Sequence, residues 1–236
     1  MKVKEIHPYL NDGNIQGATK LILGSFPVYA CTGPDNKEKL LKRNTEGTIP
    51  FFYGSCKNRF WGLYHQYIDS SVTVPINKEI ALQSLRNNKI AISDIISSCN
   101  RKGDSSSDID LFDKEYNIEM IQQLIRGGVS KVLCTSKGVL GDLDKKILSS
   151  IEGLSFDSLL TKEFSCEFLR DLGGELPMSK NVICCVYRLN KRVIYFLAIP
   201  SPGSPQRQAH NFGCISKDKL GYSNKYFAKA FKWLKG

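Results

Sequence analysis

The stretch LILGSFPVY, Leu21 to Tyr29, decides the fold. Leu21 to Leu23 read as a buried strand, and Gly24 with Ser25 ends it in a small-residue corner that hands Phe26 and Pro27 to the next segment. Working outward, NKIAISDII (Asn88 to Ile96) and SKVLCTS (Ser130 to Ser136) repeat the pattern of a short aliphatic run closed by polar or small residues. Between those two, Ile118, Ile121, Leu124 and Ile125 recur at helical spacing up to Gly127 and Gly128. After the third run, Val139, Leu140, Leu143, Ile147, Leu148 and Ile151 do the same up to Gly153. Strands alternating with amphipathic helices predict a layered α/β fold with a mainly parallel sheet. NVICCVYRLN and KRVIYFLAIP predict two further strands joined by a turn at Leu189 to Lys191. The closing helix is expected to start at Ser223 as N-cap and to bury Phe227, Ala230, Phe231 and Leu234, with Lys225, Lys229 and Lys232 on a solvated face. RKGDSSSDID (Arg101 to Asp110) reads as a mobile loop, and the region from about Leu154 to Lys180 shows no clear period.

The 236 residues suffice for a sizeable core, and the even spread of apolar residues predicts one large domain, 1–236. With 33 Lys and Arg against 23 Asp and Glu, the net charge of +10 favours a polyanionic partner. MKVKEIHPYLNDGNIQG lacks the apolar run of a signal peptide, and no segment approaches the roughly 18 apolar residues of a membrane span, so a soluble intracellular protein is expected. The eight cysteines include no CxxC pair, which argues against a zinc or iron–sulfur framework and for reduced, small apolar side chains.

In parallel α/β sheets ligands sit beyond the carboxyl ends of the strands, so the segments following each strand form one rim. Four loops meet there: GSFP, SCNRKGDSSS, TSKG with Ser136, and PSPGSPQRQAHN. Gly24 and Ser25 let the backbone approach a ligand, and Ser201 and Ser204, with Gly203 between them, offer hydroxyls and amides suited to phosphate oxygens. A fifth element is FFYGSCKNRFWGLY, Phe51 to Tyr64, in which six of fourteen residues are aromatic. It follows a basic loop with Lys37, Lys39, Lys42 and Arg43. Phe60, Trp61 and Tyr64 read as core; Tyr53 and Asn58 fall in the loop before their helix.

LILGSFP, YGSCKNRFW, SDIISSCNRKGDSSS and IPSPGSP, in that order and spacing, resemble the uracil-DNA glycosylase superfamily, most of all its mismatch-specific and hypoxanthine branches. The resemblance runs from about Leu21 to Trp233 and leaves the segment at about 154–180 as an addition. It implies a three-layer sandwich with a central, mainly parallel sheet flanked by helices. The implied activity is that of a monofunctional DNA glycosylase, which flips a nucleotide from duplex DNA and hydrolyses its N-glycosidic bond, with no cofactor and no metal. The implied protein is a monomer whose partner is double-stranded DNA, with no membrane. Tyr53 matches the aromatic that stacks on the base, Gly24, Ser25, Phe26 and Pro27 match the pocket, and Ser136 on the same rim is a further base-binding candidate. Phe26 stands where relatives carry the Asn or Asp that positions water. Asn58, retained from the hypoxanthine branch, and Asp94 are then the candidates for positioning water or recognising the base. Ile199 precedes PSPGSP where uracil-specific members often carry a His; His210 either folds back to compensate or is solvated. Gln206 and Arg207 match the place where the family inserts a side chain into the duplex. The departures at Phe26 and Ile199 argue against plain uracil as best substrate and leave hypoxanthine or a bulky modified pyrimidine, as in foreign DNA. A catalytically silent nucleic-acid-binding protein of the same fold is the alternative class.

Overall fold

The computed structural model describes residues 4–32, 48–103, 105, 107–174 and 183–236. The basic residues Lys37, Lys39, Lys42 and Arg43 lie outside the described residues, as do positions 175–180 of the segment expected to be an addition. Among the described residues the chain is a mixed α/β structure with nine strands in two sheets and seven α-helices. The larger sheet contains β2 (Lys20–Gly24), β3 (Ile90–Asp94), β6 (Lys131–Cys134), β7 (Leu154–Phe156), β8 (Cys184–Leu189) and β9 (Arg192–Ala198), in the order β3-β2-β6-β9-β8-β7. β3, β2, β6 and β9 run parallel, while β8 and β7 are antiparallel additions at one edge. Leu21, Ile22 and Leu23 are wholly buried, as a strand covered on both faces requires.

Register places the site. Gly24 pairs with Asp94, Leu23 with Cys134, and Cys134 with Ala198, so the four parallel strands end level with one another. From β2 the chain moves to β3 on one side, and from β6 it moves to β9 on the other, so the β2–β6 crevice is where the winding reverses. The smaller antiparallel sheet, β1 (Glu5–Ile6), β4 (Ile96–Arg101) and β5 (Leu111–Tyr116), continues directly from the end of β3. It corrects the reading of SCNRKGDSSS as loop throughout: Ile96 to Arg101 form a strand because β1 and β5 supply hydrogen-bond partners on both edges.

The helices are α1 (Phe60–Tyr67), α2 (Lys78–Asn87), α3 (Ile118–Gly127), α4 (Lys137–Lys146), α5 (Ser158–Arg170), α6 (Pro205–Gln208) and α7 (Lys219–Lys235). Asp218, whose carboxylate accepts from the Gly221 amide at 2.8 Å, caps α7. Ser223 therefore lies inside that helix rather than capping it, fully buried, with its hydroxyl donating to the Lys219 carbonyl. The apolar face of α7 is buried as expected. Between Leu154 and Arg170, β7 pairs with β8, and α5 packs Phe164 and Phe168 against Tyr195, Trp233 and Tyr226. Its weak periodicity reflects an aromatic contact set rather than a leucine stripe. All eight cysteines are free thiols. Among the described residues no helix is long and apolar enough to cross a membrane.

Candidate active site

A cavity of about 690 Å³ opens at the carboxyl ends of the parallel strands, within the range of small-molecule sites. Its walls come from the GSFP corner (Ser25, Phe26, Pro27), the loop before α1 (Tyr53, Asn58), Asp94, the start of α4 (Ser136) and the last loop (Ser201, Gly203, Ser204). The structure thus brings together nearly all of the candidates. Gly24 sits directly behind the wall. Gln206, Arg207 and His210 are exposed and outside the cavity lining.

The floor is organised by a residue that the sequence reading passed over. His7 Nε2 lies 2.8 Å from Asp94 Oδ2, with both side chains almost fully buried. Its Nδ1 accepts the Tyr9 backbone N–H at 3.1 Å, so the proton sits on Nε2 and is donated to Asp94. Rings of Tyr9, Phe26 and Phe52, 5.3–5.9 Å from the imidazole centroid, fix its orientation. Asp94 Oδ2 is thereby occupied, while Oδ1 is buried with no hydrogen-bond partner. Asp94 lines the cavity, so its wall contains a buried carboxylate oxygen whose hydrogen-bonding capacity the protein leaves unmet.

Tyr53 stands beside it. Its φ of +52° is a left-handed conformation that a tyrosine rarely adopts, and its ring lies 4.3 Å from that of Phe60. The phenol is buried without a partner in hydrogen-bonding geometry. Burial first, then the charge of Asp94, raises its pKa well above the ordinary tyrosine value, with the Thr135 hydroxyl opposing. Gly24 is required here: a Cβ would come within 2.1 Å of Asp94 Oδ1 and 2.4 Å of the Tyr53 hydroxyl.

Asn58 has a structural duty as well. Its Oδ1 accepts the Phe60 N–H at 2.9 Å, at the start of α1, which leaves the amide nitrogen as its uncommitted end. Ser136 caps α4 by accepting from the Val139 amide at 3.1 Å. Beside it, Lys137 donates to the Asn211 carbonyl and lies 4.9 Å from the Phe212 ring; burial lowers its pKa to about 8. Lys57 is the second cation in the wall. Asp108 accepts from the Ser25 hydroxyl at 2.8 Å. Although Asp108 is exposed at the rim, the protein crowded around it raises its carboxyl pKa, helped by the charge of Asp94 and opposed by the Ser25 bond. Arg101 clamps the corner from behind: it donates to the Pro27 carbonyl at 2.8 Å, to the Ser105 carbonyl at 2.6 Å and to Glu5 at 3.1 Å. The last loop is held by the Ser201 amide donating to Gln208 Oε1 at 2.9 Å.

His7, Lys57, Arg101, Asp108 and Lys137 are therefore parts of the site to which the sequence alone assigned no role. For Lys137 a signal was available, because it belongs to TSKG on the rim.

No family model matches the chain, and no curated protein matches it. Among solved structures the chain is similar to a solution NMR structure from Methanosarcina acetivorans described as a "putative Uracil DNA glycosylase". The identity is 17%, each chain is covered to 95%, and the TM-score is 0.46, a distant likeness that assigns neither substrate nor residues.

Proposed function

We propose that this chain is a DNA glycosylase that draws a flipped nucleotide into the cavity and hydrolyses the N-glycosidic bond of a deaminated or otherwise modified base. The observation that carries the reading is the buried Asp94 carboxylate, oriented by His7, with one oxygen unpartnered, in the wall of a cavity with room for a whole flipped nucleotide. As the bond between C1′ and the base nitrogen breaks, its electron pair leaves with the base and positive charge develops on the sugar. An anionic oxygen in a water-poor site stabilises that charge strongly. The same oxygen accepts a proton from the water that attacks C1′, completing the hydrolysis. His7 keeps Oδ2 hydrogen-bonded and leaves Oδ1 for this task.

On this reading Asn58 is the base-binding partner, its amide nitrogen donating to a carbonyl of the departing base, since its own oxygen is engaged by α1. Tyr53 and Phe26 offer aromatic surface to the base. Ser136 is a further base contact, and Ser201 and Ser204, with Lys57 and Lys137, offer donors to phosphates. Arg207, exposed beyond the pocket, contributes a further phosphate contact. Helices covering both faces of the sheet in a three-layer sandwich, a monomer, and an intracellular DNA substrate complete the proposal. Hypoxanthine and bulky modified pyrimidines are the proposed bases, because Phe26 stands where a polar water-binding residue would serve plain uracil.

The test is to incubate the protein with duplexes carrying a panel of altered bases and then treat with alkali, which breaks the strand at abasic sites. Cleavage at one class of altered base supports the proposal. Tight binding with no cleavage on any duplex would replace it with a catalytically silent nucleic-acid-binding protein.

A further inference from the structure

Two lysines, Lys57 and Lys137, belong to the cavity wall, and they are held differently. Lys57 is exposed. Lys137 is half-buried: its Nζ donates to the Asn211 carbonyl and lies 4.9 Å from the centroid of the Phe212 ring. Asn211 and Phe212 line the cavity too, so the amine is anchored along the wall rather than extended into solvent. Its place in the fold disfavours a cation. Lys137 is the first residue of α4, at the positive end of the helix dipole, directly after the capping Ser136. Burial lowers its pKa to about 8, so roughly a tenth of the molecules carry a neutral amine at pH 7, against less than about a thousandth for an exposed lysine. Such an amine still donates an N–H to Asn211 and keeps a lone pair for an electrophile.

Resting on the glycosylase reading for its substrate, we propose that Lys137 gives the protein a second activity, that of an abasic-site lyase, by condensing with the aldehyde that base removal leaves at C1′. The Nζ lone pair forms a C–N bond to C1′, and the aldehyde oxygen departs as water, with one proton taken from solvent, leaving an iminium. The iminium acidifies C2′, and the C2′ proton passes to a carboxylate of the same wall, Asp94. The electron pair of that C–H bond becomes the C2′=C3′ double bond, and the C3′–O bond breaks with its pair leaving on the phosphate of the downstream strand. Water then hydrolyses the iminium, which frees Lys137, returns the proton and leaves an unsaturated aldehyde on the upstream strand. The charged form of Lys137 serves the phosphate contact; the neutral form attacks.

A duplex with a preformed natural abasic site bypasses base removal and isolates this step. With sodium cyanoborohydride, wild type should become covalently joined to the strand, and digestion with mass spectrometry should place the adduct on Lys137. Without reductant it should break the strand before any alkali is added. Lys137→Arg keeps the charge and a donor for Asn211 but forms no imine; it should lower adduct yield and strand breakage by at least about a hundredfold, with melting temperature and duplex affinity close to wild type. No adduct from wild type, an adduct on another lysine, or one undiminished in Lys137→Arg would overturn the lyase. Free base from a modified duplex with no adduct on abasic DNA sinks the lyase alone, whereas an adduct on Lys137 with no free base from any duplex sinks the glycosylase reading alone.

Discussion

Gly24→Ala perturbs the centre of the proposed site with one methyl group. The added carbon would lie 2.1 Å from Asp94 Oδ1 and 2.4 Å from the Tyr53 hydroxyl. Reaching ordinary van der Waals contact requires each oxygen to retreat by about 1 Å. Asp94 has little room to do so, because its other oxygen holds His7 at 2.8 Å and both side chains are buried. Losing that charge-assisted bond costs about 1.5–3 kcal/mol, or a melting temperature lower by roughly 4–10 °C for a chain of this size. A misplacement of about 1 Å in a catalytic group costs on the order of a hundredfold in rate. The assay pairs thermal melting with single-turnover base release. Gly62→Ala serves as control, since Gly62 lies in α1 with nothing within 4 Å of its Cβ position, and alanine there should be neutral or slightly stabilising. A Gly24→Ala protein with wild-type melting and wild-type rate would refute the reasoning that these three residues form one tight unit.

Asn58→Ala should lose roughly 1 kcal/mol of stability through the missing hydrogen bond to the Phe60 amide, whereas Asn58→Ser keeps an accepting oxygen and loses the amide donor. Base release should fall in both variants; if it falls only in Asn58→Ala, the amide has no role beyond the fold. Because the raised pKa of Asp108 means the folded state holds that proton more tightly than the unfolded chain, ionisation of Asp108 disfavours folding at neutral pH. Asp108→Asn should therefore melt above wild type at pH 7, with the gap shrinking as pH falls toward 4; a gap that widens on acidification reverses the sign. Lys137, with its pKa near 8, loses its charge between pH 7 and 9. The slope of log affinity against log salt should flatten over that range by up to about 0.9 in wild type and stay constant in Lys137→Gln, while Arg207→Ala flattens it by about one unit at either pH. A wild-type slope independent of pH would remove Lys137 from the phosphate contacts.

The parallel strands, the rim they end on and the core residues of α1 are legible in the sequence because each depends on neighbours a few positions away. The corner at Gly24 announces itself through small residues after an aliphatic run, and Asn58 and Tyr53 through the aromatic cluster around them. The partner of Asp94 does not, since His7 is 87 residues distant and reaches it only through the small sheet that joins β1 to β4. Arg101 and Asp108 look like members of a polar, low-complexity loop until β4 and β5 fix them behind and beside the corner. Ser223 misleads for a related reason: serine favours N-caps, yet a buried serine can return its hydroxyl to a carbonyl one turn back. The segment after Leu154 hides its helix because α5 is anchored by aromatic contacts to α7 and β9 rather than by a regular stripe.

The most direct measurement is the free base liberated from a modified duplex under single-turnover conditions, by wild type and by Asp94→Asn, with DNA affinity determined alongside. Asparagine preserves the shape of the side chain and the bond from His7 while removing the negative charge. Wild type should free the base, and Asp94→Asn should bind the duplex equally well and release it at least about a hundredfold more slowly. Equal rates in the two proteins, or no free base from wild type on any duplex, would contradict the account.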